Sequence, residues 1–201
     1  MEDKKRVFSN RVKTARSLAR LISFFLFFPF YFPPMLSFYF AVNKGEILMD
    51  IEANYIGKLK SVNLRFLDLF VYNSYFRILY YHRLSLPVAQ ILRLLYPGNK
   101  TFFISYHTSI GGGLKLSHPF ATIVNAKSIG TNCQIRQCTT IGNKDNDDQK
   151  PTIGNSVILG ANVNVVGRIT IGNHTTIGAG TTVAKDVGDH ITAVGAKIRY
   201  I

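Results

Sequence analysis

From Ile104 to Val187 an aliphatic residue recurs at every sixth position, and no other feature of the chain restricts its fold so tightly. The series reads Ile123, Ile129, Ile135, Ile141, Ile153, Leu159, Val165, Ile171, Ile177 and Val183, with Asp147 its one polar member. An α-helix repeats every 3.6 residues and a strand every two, so neither keeps these side chains on one face. A chain that bends after each short strand does, because every sixth side chain then points into a shared interior. Glycine follows the aliphatic at Gly130, Gly142, Gly154, Gly160, Gly172 and Gly178, and a small or β-branched residue stands four positions after most of the series, as at Cys133, Thr139, Val157, Val163, Ile169, Thr175, Thr181 and Val187. Two inward positions in six residues predict a parallel β-solenoid over 101–190, with 191–201 as a tail.

Two breaks in the period carry functional information. Ile104, Ile110 and Leu116 lie one residue out of phase with the series that begins at Ile123. One extra residue therefore enters near Ser117-His118-Pro119 and pushes His118 out of the regular wall. The polar run Asn143–Lys150 replaces a whole hexapeptide and predicts a loop thrown outward over a face. Upstream, Pro97-Gly98-Asn99 is a turn signal, and residues 43–100 form a helical region. Leu67, Phe70, Leu79, Tyr80, Ile91 and Leu95 are spaced for one helical face, and Pro87 opens the last helix. Arg65, Arg77, His82 and Arg83 interrupt that face as snorkelling side chains.

The in-phase hexapeptides resemble the hexapeptide-repeat acyltransferases, whose fold class is mainly β: a left-handed parallel β-helix, here preceded by an α-helical amino-terminal region. The handedness comes from the resemblance, since the ordinary crossover rule favours the opposite hand. Leu116-Ser117-His118-Pro119-Phe120, followed by Ile123, Ala126, Ile129-Gly130, Gln137 and Thr140-Ile141-Gly142, is similar to the serine acetyltransferase branch, in which the matching histidine is the general base. The likeness is closer to the shorter relatives of surface-polysaccharide pathways. Where serine acetyltransferases carry an Asp before that histidine this chain has Ser117, a second Asp falls near Phe103, and an Arg-His pair falls on Gln149-Lys150. The resemblance thus makes His118 catalytic and puts Ser117, Gln137 and Lys150 against the acceptor. It implies acetyl-coenzyme A as co-substrate, held beside Gly160, Ala161, Gly178 and Ala179, with Lys185 and Arg199 on its phosphates. It also implies a homotrimer with oxyanion donors from a neighbouring chain, and no metal.

Moving an acyl group from a thioester to a hydroxyl needs a base, and imidazole titrates near neutrality. The expected activity is O-acetylation of a sugar or a surface-polysaccharide precursor, with L-serine as the alternative acceptor and a non-catalytic trimeric scaffold as a third reading. A zinc hydratase on the same fold would need three converging histidines, and only His107 and His118 lie near enough in sequence. Covalent transfer through Cys138 stays open.

The net charge of +13 favours anionic partners, but no helix-turn-helix, zinc module or aromatic-basic strand motif supports nucleic acid. Cys133 and Cys138 form neither a disulfide framework nor a zinc spacing. Residues 1–20 are basic, and Leu21–Val42 carries no charge. Residues 1–42 are therefore expected to turn at Pro33-Pro34 and associate, peripherally or monotopically, with the inner face of the cytoplasmic membrane, on the lipid or glycolipid side of a cytoplasmic enzyme. An apolar helical pair in an oligomer interface is the other reading of that stretch.

Overall fold

A computed structural model describes residues 30–146 and 148–195. The whole basic segment 1–20, the first part of the uncharged stretch, Asp147 and Arg199 lie outside the described residues. Residues 30–40 belong to one compact unit and the rest to another. In the first, helix α1 spans 30–39 and runs through Pro33 and Pro34, which corrects the expected turn. Both prolines withhold an amide donor, but their fixed φ suits a helix, and Ser37 Oγ donates back to the Pro34 carbonyl at 2.8 Å. Among the described residues no helix is long and apolar enough to cross a membrane.

The second unit begins with α2 (Lys44–Asn54), α3 (Val62–Tyr72), α4 (Ser74–Arg83) and α5 (Leu86–Leu95). Asn73 caps α4 by accepting from the amides of Tyr75 and Phe76, and Pro87 sits in the first turn of α5. Phe70, Leu79 and Tyr80 are buried as the spacing predicts, whereas Leu67 is only half-buried beside the buried Phe66, and Ile91 and Leu95 of α5 are exposed with Ala89 and Leu92 buried instead.

Among the described residues fourteen short strands follow, winding five coils into three parallel sheets. The first face holds β1 (Phe102–Ile104), β4 (Thr122–Val124), β7 (Thr140–Gly142), β10 (Asn164–Val166) and β13 (Thr182–Val183). The second holds β2 (Ser109–Ile110), β5 (Ser128–Ile129), β8 (Thr152–Ile153) and β11 (Thr170–Ile171). The third holds β3 (Lys115–Ser117), β6 (Gln134–Arg136), β9 (Ile158–Leu159), β12 (Thr176–Ile177) and β14 (Thr192–Ala193). β14 lies inside the stretch assigned from sequence to the tail. Ile129, Ile135, Ile141, Ile153, Leu159, Val165, Ile171 and Ile177 are all buried. Two polar residues at the second inward position find partners one coil away, Thr139 Oγ1 donating to the Gly160 carbonyl at 3.1 Å and Thr175 Oγ1 to that of Gly188 at 2.7 Å.

Ile123 breaks from its series. It is 48% exposed, while Thr122 and Val124 on either side are buried. Val124 stacks on Ile104 and under Ile141, so the inward step from Leu116 is eight positions and the next, to Ile129, is five. The corner between β3 and β4 carries two extra residues, and the following corner gives one back. The single slip expected near His118 is the net of these two. Backbone dihedrals show how the corner holds them: His118 and Ala121 both take left-handed conformations, φ 53° and 50°, where Cys138 and Asn162 stand alone at the equivalent corners below.

The first coil would present bare strand edges, a hazard in any open sheet. Side chains of α2 and α4 cover it. Asp50 Oδ1 accepts from the amides of Gly113 and Leu114 at 2.8 and 3.0 Å. Asn54 accepts from the Leu116 amide and donates to the Leu114 carbonyl, both at 2.8 Å. Arg83 donates to the Ile110 and Gly111 carbonyls and pairs with Asp50 at 2.9 Å and Glu46 at 3.0 Å. Asp50 and Arg83 are 1% and 4% exposed, so Arg83 corrects the snorkelling expectation. Arg77 does too, donating to the Phe70 and Val71 carbonyls that end α3. Burial raises the Asp50 carboxyl pKa, while Arg83 and the two amides pull it back without cancelling the rise.

Asp50→Ala leaves the buried guanidinium with only the half-exposed Glu46 as counter-ion, and removing the buried partner of such a pair costs about 3–5 kcal/mol. Denaturant unfolding is expected to show that loss, with the double variant Asp50→Leu/Arg83→Met recovering only the part due to the unbalanced charge, because the Gly113 and Leu114 amides and the Ile110 and Gly111 carbonyls still lose their partners. Equal stability of Asp50→Ala and the parent would show that this network does not hold the first coil.

Candidate functional site

The corner that carries His118 opens into a cleft of about 680 Å³ between the solenoid and the helices. Lys115, Ser117, His118 and Arg136 form its solenoid wall, and Asp68, Tyr72 and Tyr75 its helical wall. His118 is exposed. Ser117 Oγ accepts from Gln134 Nε2 at 3.0 Å, which fixes the hydroxyl beside it. Among the described residues no hydrogen bond holds the imidazole, so the ring is free to meet a ligand proton. Arg136, Asp68 and the two tyrosines were not legible in the sequence. Arg136 had a usable signal, because the register stacks it on Ser117; Asp68 had none, since a helix far along the chain delivers it.

The same edge continues down the solenoid. The Cys138 amide donates to the Phe120 carbonyl, that of Asn162 to Gln137, and that of Gly180 to Ala161, at 2.8, 2.9 and 2.8 Å. Gln137, Gly160-Ala161 and Gly178-Ala179 therefore lie one below another beneath His118. Coils stack at about 4.8 Å, which puts Ala179 about 14 Å from the His118 corner, within reach of an extended thioester arm. Ala179 is exposed and Ala161 half-buried, leaving a shallow track of backbone and methyl groups. Gly160 is also required by the stacking itself: a Cβ there would lie 2.7 Å from the Ala179 amide nitrogen. Cys138, exposed, shares this edge, while burial raises the pKa of Cys133 in the core.

Other expected site residues lie elsewhere. Lys150 and His107 line a second cleft of about 640 Å³ on the edge between the first and second faces, with Lys127, Asp148, Arg168 and Asp186. Lys185 is exposed just past β13, beside that second edge rather than below His118. One chain thus unites His118, Ser117, Gln137 and the Gly-Ala pairs, and separates Lys150 and Lys185 from them. The stacked rings of His174 and His190, 4.9 Å apart, occupy the third edge. Among the described residues no group of three or more His, Cys, Asp or Glu side chains could hold a metal ion.

The family model for bacterial transferase hexapeptides (six repeats) matches residues 150–185. The chain is 35% identical over 127 residues to the mitochondrial serine acetyltransferase 3 of Arabidopsis thaliana, covering 60% of this chain and 32% of that protein. It is 36% identical over 115 residues to the putative colanic acid biosynthesis acetyltransferase WcaB of Escherichia coli strain K12, covering 56% of this chain and 71% of that one. Serine acetyltransferase from Brucella abortus strain S19, solved in complex with coenzyme A, superposes with a TM-score of 0.61 at 26% identity, over 78% of this chain and 66% of that chain. The chain spans 32% and 39% of the length of the two serine acetyltransferases, from Arabidopsis thaliana and Synechococcus elongatus, that it matches.

Proposed function

The chain belongs to the hexapeptide-repeat transferases, and from that premise we propose that it moves an acetyl group from acetyl-coenzyme A to a hydroxyl of a sugar or surface-polysaccharide precursor. The observation that carries the reading is the placement of His118 at the head of the edge that bears Gly160-Ala161 and Gly178-Ala179. An acyl donor lying along that track would bring its thioester to the imidazole, in the cleft that admits the acceptor. A neutral His118 ring nitrogen takes the acceptor hydroxyl proton as its oxygen attacks the thioester carbonyl. Collapse of the tetrahedral species forms the ester and breaks the carbon–sulfur bond, and the imidazolium returns its proton to the departing thiolate.

We place the oxyanion donors and the cation Lys150 on a neighbouring protomer, in a homotrimer. Phe103 and Ile123 support this, since they stack in register on the outer side of the first face, 54% and 48% exposed, beside the His118 edge. Such an apolar column suits a protein neighbour. Asp68 in the same cleft favours a second reading, L-serine as acceptor, because a carboxylate there can meet an ammonium group. We further place the protein at the inner face of the cytoplasmic membrane through residues 1–42, on the strength of the basic segment and the uncharged aromatic stretch after it.

His118→Ala is expected to lower acetyl transfer by about 10²–10⁴-fold, measured as thiol release from acetyl-coenzyme A with sugar nucleotides, glycolipids or L-serine, while coenzyme A still binds. Unchanged turnover would refute the base assignment. Ala179→Tyr fills the exposed track and should raise the acetyl-coenzyme A KM on the order of tenfold or more, about 1.4 kcal/mol of binding, with kcat less affected. An unaltered KM would move the donor off this edge. A chain beginning at Asn43 should leave the membrane fraction for the supernatant, and equal retention would sink the anchor.

A further inference from the structure

Four basic side chains occupy one edge of the solenoid on successive coils: His107 before β2, Lys127 before β5, Lys150 before β8 and Arg168 before β11. With coils about 4.8 Å apart, the row runs for about 14 Å along the second cleft. Two carboxylates share that cleft. Asp186 is committed to the backbone, its Oδ1 accepting from the Thr170 amide at 2.7 Å, and Asp148 stands on the outward loop. Among the described residues no ion pair engages Lys127 or Arg168. Packing does not require cations here, since the inward residues Ile129, Ile153 and Ile171 already hold these coils together. The like charges of Lys127 and Arg168 repel, and an anion laid between them relieves that repulsion.

We infer that this edge binds the diphosphate of a glycosyl diphosphate, which makes the acceptor a sugar linked to a nucleotide or to a lipid through two phosphates. A diphosphate carries its charge on oxygens spread over neighbouring rungs, which a single carboxylate does not. Arg168 offers a planar fork and Lys127 a mobile point charge for those oxygens. A cleft of about 640 Å³ lies within the range of small-molecule sites and leaves room for the sugar beyond the phosphates. Naming the ligand as the acceptor rests on the acetyltransferase reading above; the anion site itself does not.

The full chain, saturated with coenzyme A so that the coenzyme's own phosphate contacts are filled, is titrated calorimetrically with inorganic pyrophosphate, UDP-glucose, farnesyl diphosphate and glucose. Saturable binding of the three diphosphates, none of glucose, and a weakening of about tenfold or more in Lys127→Gln/Arg168→Gln are expected, with affinity falling as salt is added. UDP-glucose binding more tightly than farnesyl diphosphate points to a nucleotide-linked sugar, and the reverse to a lipid-linked one. Both substituted side chains are solvent-exposed, and the circular dichroism of the double variant checks its fold. Should that variant unfold, reversing Lys127 alone to Glu supplies the same comparison. The proposal is overturned if pyrophosphate fails to bind, if it binds the folded double variant as tightly as the parent, or if the double variant loses affinity for coenzyme A instead. His118→Ala separates the two readings, because it should bind pyrophosphate like the parent even where no acetyl transfer is found.

Discussion

Coil-on-coil hydrogen bonding is the constraint from which the rest of the molecule follows. Each strand has only two or three residues, too few to stand alone, so each depends on the amides and carbonyls of the coils on either side. That dependence fixes where an inward side chain must recur, as from Ile153 to Ile171 and from Leu159 to Ile177. It also makes any change of length visible at once. An insertion inside a strand would break two ladders, so insertions survive only at corners. The His118 corner and the Asn143–Lys150 loop are both corners, and they are where the candidate chemistry lies.

The ends of such a ladder are its weak points, and the helices answer this at the first coil. Asp50, Asn54 and Arg83 supply the hydrogen bonds that a preceding coil would have made. A charged pair buried that deeply is costly to desolvate. It is offset here because the guanidinium also meets two strand carbonyls and the carboxylate two strand amides. Fixing α2 and α4 against the first coil sets the helical wall of the His118 cleft, so this capping network and the site geometry are one arrangement.

The solenoid was legible because its period is local: Ile129, Ile135 and Ile141 announce their burial by spacing alone. Ile123 misled because an aliphatic at the expected interval was not inward, and only the stacking of Val124 between Ile104 and Ile141 reveals the redistribution of corner residues. Arg83 resisted reading for a different reason. A basic residue on an apolar helical face is ordinarily solvated, and its carboxylate lies 33 positions before it and its strand carbonyls 27 and 28 positions after it. The two clefts were equally hidden, since spacing along the chain does not say which of three edges receives Lys150 or Lys185.

Separate edges give the fold a division of labour that a single pocket would lack. The edge below His118 offers backbone, alanine methyls, the uncharged side chains of Gln137 and Cys138 and one imidazole, a surface suited to a long uncharged arm and a proton transfer. The edge bearing Lys127 and Arg168 offers charge and little else. An acceptor held at its phosphates and a donor held along its arm would approach from different directions, with no reason to compete for the same groups. Reactivity would then depend on bringing the two edges together, which neighbouring copies can do and one prism cannot. A periodic solenoid has few alternatives, because its faces are given over to stacking and only its corners are free to differ from coil to coil.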